Sequence, residues 1–465
     1  MDPIKELVNY STRLKYDALP ERVIRIVKER VLDTLGTMIA GSSTGECKKL
    51  VNLVKSWGGK EESSLIVYGN KVPATWAALC NSTMARACEM DDVHEMAGAH
   101  LSASIIPSAF AIAGYSGVSK NRPIDGKTFI LSVTLGSDLH CRLRMAGRED
   151  GPERGWVGET YAPIAVAAMG AKMLEFSETK TLNAMGIGYA QCSGNAQANV
   201  DGAFTVSLQQ GLGAKAGVLS LQLADEGLTG ARDVLEGRYG LYPLYLPGTF
   251  DRGVLTSELG ERFEITNITT KFYPCCQGNH AAIYGALQLS AEHRIKADEI
   301  DEVRIHTNTF FANILGTHEK VRPQNLHDAQ FSCFFTVALA LVKGSVILSD
   351  FTEEGIQDAQ VLRMCEKVRV YADPEKDRIK ALVPPIDIEI IMKDKRRYKR
   401  TVEYVKGHPN HPANLDDYIK KFDDCVRYSG KPLAPKAISE VKRMIEQLDQ
   451  LEDVTLIIDQ LSSSL

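Results

Sequence analysis

Residues 89–100 read Glu-Met-Asp-Asp-Val-His-Glu-Met-Ala-Gly-Ala-His, so Glu89, Asp91, Asp92, His94, Glu95 and His100 share one short segment. An apolar run, residues 101–114, follows without a break. Carboxylates and imidazoles beside an apolar wall are the groups that proton transfer at carbon requires. Burial there moves a carboxylate pKa up, or a histidine pKa down, toward neutrality. The plain alternative is a solvated loop that caps the next helix, and for a lone histidine it would be the better reading. Several titratable groups together point instead to an active site, where perturbed groups concentrate.

Other chemistries find less support. The spacing of Asp91, Asp92, His94 and His100 matches no defined zinc pattern such as H-E-x-x-H, so no metal is expected. Residues 227–233 are not a phosphate-binding loop, because the strand-to-helix context is missing. Gly41-Ser-Ser-Thr-Gly45 matches G-x-S-x-G in letters, but it follows a helix, where a nucleophile elbow joins a strand to a helix. It reads as a helix stop. Cys275 and Cys276 are adjacent and read as structural thiols rather than a base or ligand.

The elements that must hold the acidic segment are mostly helices. Residues 22–40 place Val23, Ile24, Val27, Val31, Leu32, Leu35 and Ile39 on one broad apolar face, and Gly41 ends the run. Residues 74–90, 103–114, 129–143, 163–175, 182–197 and 211–224 are further helical runs, many rich in Ala and Gly on several faces. Such helices pack against other helices with close backbone approach. Asp138 and Arg142, one turn apart, are expected to pair, with His140 pointing elsewhere. After about residue 263 the pattern changes. Residues 302–307 and 367–371 alternate as strands, and residues 386–392 and 398–405 read as a hairpin. The expected fold is mainly α: a helical domain (1–269), a smaller α+β lid domain (270–406) and a helical return (407–465).

The 465 residues are 44% hydrophobic and 24% charged, with a net charge of −5 and no basic stripe, which argues against nucleic acid. Ten dispersed cysteines form no C-x-x-C pair, and the N-terminus lacks a signal peptide's apolar stretch. A cytoplasmic protein is expected, with no run of membrane-spanning length and no membrane partner.

These motifs, taken in order, carry a resemblance. They are the run from Leu19-Pro20 through residues 32–36 to Gly41, the acidic segment to His100, and residues 107–113. Residues 228–240 (LTGARDVLEGRYG), 271–280 (KFYPCCQGNH), 329–332 and 407–422 follow. The chain resembles the MmgE/PrpD family of 2-methylcitrate dehydratases, cis-aconitate decarboxylases and iminodisuccinate epimerases. The resemblance implies a homodimer with a large all-helical domain and a smaller α+β lid. It implies chemistry on a small carboxylic acid without metal or organic cofactor. It also places Asp91, Asp92 and His100 in the active site, makes Lys271 a substrate-binding or polarising group, and puts His280 in the same motif.

On that basis His100 is the leading acid/base, Asp91 or Asp92 its partner, and Lys271 the holder of a substrate carboxylate. His94, His140 and His280 are candidate substrate contacts. Two positions depart from the family pattern. Val157, in Arg154-Gly155-Trp156-Val157, stands where a His is usual, and Val206 where a Lys is usual. Losing a desolvated charge-assisted contact costs roughly 2–5 kcal/mol, which disfavours a tricarboxylate and favours a smaller acid with an apolar arm near Val157 and Val206. Three functions remain: a dehydratase- or decarboxylase-like lyase, an epimerase of a substituted dicarboxylate such as iminodisuccinate, and a catalytically silent dimeric paralogue.

Overall fold

The computed structural model describes residues 2–147, 155–247, 250–379, 381 and 383–462. The chain forms two compact units. The larger comprises Met1–Ala87, Asp91–Ile268 and Asn414–Leu465; the smaller comprises Cys88–Met90 and Thr269–Ala413. The molecule is mainly helical, with a larger helical unit and a smaller α+β unit, as the sequence leads one to expect.

In the larger unit Pro20 and Glu21 open the helix Glu21–Gly41, which continues the apolar stripe read from the sequence. Its end is a joint between two helices. Thr44 caps Gly45–Trp57 by accepting from the Cys47 amide, so the G-x-S-x-G letters mark a stop and a cap. Leu101–Lys120 is buried along residues 101–116 and closes on Asn121 in the left-handed conformation. Its length and composition would suffice to cross a membrane, although Ser and Lys interrupt the apolar run. Yet 89% of its most apolar window is buried inside the protein, which is the behaviour of a core helix. Thr205–Asp225 packs on Ala74–Arg86 and on Ala162–Met173. Gly211 allows the first contact, since a Cβ there would stand 2.3 Å from the Leu79 carbonyl oxygen. The unit is not wholly helical: Ser63–Ser64 and Lys71–Val72 form a two-residue antiparallel ladder.

Gly126–Ala146 is started by Asp125, whose carboxylate accepts from the Thr128 amide at 2.8 Å. The expected Asp138–Arg142 pair forms at 2.8 Å and is fully buried. Arg142 also donates to the carbonyls of Val254, Ser257 and Arg262, and Asp138 accepts from the Glu264 amide. A helical pair one turn apart thus fixes a segment more than a hundred residues downstream.

The smaller unit holds a four-stranded sheet in the order Val368–Ala372, Ile300–Thr307, Ile386–Met392, Arg397–Val402. The first pair is parallel, and the remaining pairs are antiparallel, ending in the hairpin read from the sequence. Val303, Ile305, Ile388 and Ile390 bury one core with Phe335 and Leu339 of the helix Cys333–Lys343. Each such side chain contributes about 1.5–3 kcal/mol by leaving water.

Candidate active site

Within the larger unit, residues 91–100 of the acidic segment form a tight loop between two helices. Arg86 ends the first, Ala74–Arg86, and its Nη1 lies 3.4 Å from Asp91 Oδ1. The other Asp91 oxygen, Oδ2, is 2.9 Å from His100 Nδ1. Asp91 is buried, whereas the His100 side chain keeps 20% of its surface open. His100 holds the N-cap position of Leu101–Lys120, yet its side chain makes no capping bond. Its carbonyl accepts from Gln210 Nε2 at 2.7 Å. The imidazole is therefore placed by its backbone and by the Asp91 contact, and is partly exposed.

Asp92 does the capping that His100 leaves undone. Its carboxylate accepts from the Ser102 amide at 3.3 Å and from the Ser102 hydroxyl at 2.5 Å. Arg30 Nη1 stands 3.7 Å away, while Nη2 of that guanidinium donates to the Tyr418 hydroxyl. Burial pushes the Asp92 carboxyl above the usual range, although Arg30 and the Ser102 bond pull against it. The two adjacent acids thus have different surroundings, Asp91 facing an imidazole and Asp92 bound to a helix start.

His94 sets the shape of the loop. Its Nδ1 accepts from the Ala97 amide at 3.0 Å, so Nε2 carries the proton toward Glu264 Oε2 at 3.2 Å. Its backbone bridges to Ala99. Glu264 also accepts from Arg262 at 2.9 Å and from Asn267 at 2.9 Å. Burial opposes the charge on Glu264, but the bonds from His94 and Asn267 and the nearby Arg262 outweigh it and hold the carboxyl down to about 2.

His140, fully buried, donates from Nε2 to the Gly158 carbonyl at 2.9 Å, and burial lowers its pKa, so it stays neutral. Gly158 is required by close approach: a Cβ there would stand 2.8 Å from Ala99 Cα and 2.9 Å from the Gly98 carbonyl oxygen. The segment that carries Val157 therefore packs directly on the loop that carries His100. Val157 lies against Gly194, and Val206 is buried in the first turn of Thr205–Asp225. Arg154, which opens the Val157 motif, is outside the described residues.

Lys271 belongs to the smaller unit and is fully buried, its Nζ 2.9 Å from Glu89 Oε2. The ammonium is thus paired with a carboxylate from the first part of the acidic motif. His280, in the helix Gln277–His293, is buried with the Tyr273 ring edge-on at 5.1 Å. Burial raises the Cys275 thiol well above its ordinary value, which suits a structural residue and not a thiolate.

Sequence reasoning did not single out Arg30, Arg86, Gln210 or Glu264. Arg86 had a local signal, a cation five residues before Asp91 at a helix end. Arg30 continues the stripe Val23, Val27 at helical spacing, and a charge in an apolar stripe marks a buried partner. Gln210 and Glu264 reach the loop from 110 and 170 residues away, and nothing local signals that.

Residues 5–252 match the MmgE/PrpD N-terminal domain and residues 273–447 the MmgE/PrpD C-terminal domain. The chain belongs to the MmgE/PrpD family. Among MmgE/PrpD relatives it is 24% identical over 472 residues to the cis-aconitate decarboxylase of Aspergillus terreus, covering 98% of this chain and 95% of that one. It is 25% identical over 392 residues to the cis-aconitate decarboxylase-like protein oryM of Aspergillus oryzae, covering 80% of each. The cis-aconitate decarboxylase of Mus musculus is 24% identical over 465 residues, with 96% and 90% covered.

Proposed function

We propose that this protein is a cofactor-independent lyase of the decarboxylase or dehydratase kind, which moves a proton at the carbon next to a carboxylate of a small di- or tricarboxylic acid. The observation that carries the reading is the His100–Asp91 ion-pair contact at 2.9 Å, with the imidazole side chain 20% exposed and the acid buried. A carboxylate beside Nδ1 favours the tautomer with the proton there, which leaves Nε2 as the base and then the acid. Arg86, 3.4 Å from the other oxygen, orients Asp91. The relatives named above, all decarboxylases or decarboxylase-like, support the reaction class. Family resemblance assigns Lys271 to the substrate carboxylate. Its own surroundings, a buried pair with Glu89, support a charge-balanced role as well, so the proposal rests on His100 and Asp91.

Val157 and Val206 favour a second reading, an epimerase of a substituted dicarboxylate. In it the same base removes the proton and reprotonation takes place on the opposite face. Both readings are tested by incubating the protein with di- and tricarboxylates in D2O and following each C–H signal by NMR. Exchange with loss of CO2 or water supports the lyase, and exchange without net conversion supports the epimerase. No exchange with any acid, at a protein concentration that saturates detection, refutes both and leaves the silent paralogue.

A further inference from the structure

Among the described residues, four arginine side chains are buried in the larger unit: Arg30, Arg86, Arg142 and Arg144. Three have a carboxylate within ion-pair distance, namely Asp92, Asp91 and Asp138. Arg144 is the exception among the described residues. It is 4% exposed; its Nη2 donates to the Trp156 carbonyl at 3.3 Å, and the Tyr161 phenol interacts with the guanidinium. Its Nε and Nη1 have no hydrogen-bond partner, although both are buried. The buried carboxylate of Glu159 acts on His140, but no described carboxylate comes within ion-pair distance of Arg144. Tyr161, whose ring lies 5.8 Å from the guanidinium, has its phenol pKa raised by burial and stays neutral. His140, one turn earlier on the same helix face, is neutral as well and also has an unpartnered ring nitrogen, Nδ1.

A buried guanidinium with no carboxylate in ion-pair range is costly, and a bound anion would offset that cost. Only one N–H of Nη2 is committed to Trp156. One edge of the planar fork therefore keeps two parallel donors, the arrangement that grips a carboxylate in bidentate fashion. A chain of contacts ties the segment that Arg144 holds to the candidate site. Arg144 holds Trp156, His140 holds Gly158, and Gly158 packs on Gly98 and Ala99, directly before His100.

We infer that Arg144 is a substrate-carboxylate-binding residue of this protein, supplying from the Gly126–Ala146 helix the cation that Val157 and Val206 do not. The inference deepens the proton-transfer reading and rests on it for the identity of the ligand class, a small di- or tricarboxylate. Arg144 sets affinity and orientation; it does not move the proton.

The test measures binding of maleate and of cis-aconitate to the full chain by calorimetry, for the wild type, Arg144→Met, Arg144→Lys and His100→Gln. Arg144→Met should weaken binding of the preferred acid about 30-fold or more, and Arg144→Lys should recover part of it. His100→Gln should bind normally but lose C–H exchange in D2O. Without ligand, Arg144→Met should melt no lower than the wild type, because it removes an unpaired buried charge. An Arg144→Met protein that misfolds or melts markedly lower shows a structural cation and overturns the inference. So does unchanged affinity in Arg144→Met, or a wild type that binds neither acid. If binding depends on Arg144 but no exchange occurs with any acid, the reaction falls and the carboxylate site stands. If exchange proceeds with an unchanged KM in Arg144→Met, the reaction stands and the site falls.

Discussion

Replacing Glu264 by Gln asks whether one charge holds the loop that presents His100. Glu264 receives Nε2 of His94, and His94 fixes the turn from residue 94 to 99. Its carboxyl sits at about 2 against an ordinary 4.5. A depressed folded-state pKa stabilises the fold fully above the unfolded value and loses that contribution as the pH falls toward the folded one. The difference of about 2.5 pH units corresponds to about 3 kcal/mol near pH 6, falling to about 2 kcal/mol near pH 3.5 and vanishing below the folded-state pKa. The side chain is 4% exposed, so solvent screening takes little away. Urea unfolding of the wild type and Glu264→Gln at the two pH values should show this narrowing gap, and amide exchange at Ala97, Gly98 and Ala99 should quicken in the variant at pH 6. A gap of equal size at both pH values would mean that shape and hydrogen bonding, not charge, hold the loop. No gap at pH 6 would refute the pairing altogether.

Three further outcomes are expected. His100→Ala should lower turnover by about 10²–10⁴-fold with an unchanged far-UV spectrum, the usual worth of a general acid/base, and an active variant would move the role to another group. Restoring polarity with Val157→His and Val206→Lys should shift preference from a short or monoalkyl dicarboxylate toward cis-aconitate or 2-methylcitrate, read as the ratio of kcat/KM values. A wild type already as efficient on those tricarboxylates as its relatives would strip the two valines of meaning. Arg142→Met should destabilise the larger unit by about 3–5 kcal/mol, because it leaves Asp138 buried and unpaired and three carbonyls without their donor; a loss under about 1 kcal/mol in urea unfolding would contradict that reading.

Much of this molecule was legible before any coordinates. Helical spacing located the Glu21–Gly41 helix and the Asp138–Arg142 pair, since both depend on neighbours within one or two turns. Period-two alternation located the strands of the smaller unit. The choice between Asp91 and Asp92 was not legible. The two are adjacent in sequence, and the turn set by His94 decides which of them meets His100 and which caps the helix. Glu264, which anchors that turn, arrives from a distant segment pinned by Arg142. The apolar run after His100 reads as a buried helix from its small residues on several faces, and Leu101–Lys120 is one. Arg144 escaped notice because a guanidinium lacking a partner is a property of surroundings, not of letters.

The smaller unit recruits residues 88–90 from a stretch of chain otherwise devoted to the larger one, and this bears on how the protein is made. Glu89 leaves the ribosome 182 residues ahead of Lys271, the ammonium it neutralises. A fragment cut at residues 269–413 would bury that ammonium without its carboxylate, a loss of about 3–5 kcal/mol, so the apparent domain boundary is a poor place to divide the gene. The larger unit is tied in the same way to its last residues, since the Val67 amide donates to the Leu461 carbonyl at 3.0 Å. The larger unit's contacts are complete only when Leu461 has been made, and the smaller unit's only when its last strand, Arg397–Val402, has. The nascent protein must therefore carry exposed apolar helices through most of translation, and its yield in a cell should depend on chaperone capacity more than a protein built of contiguous domains would.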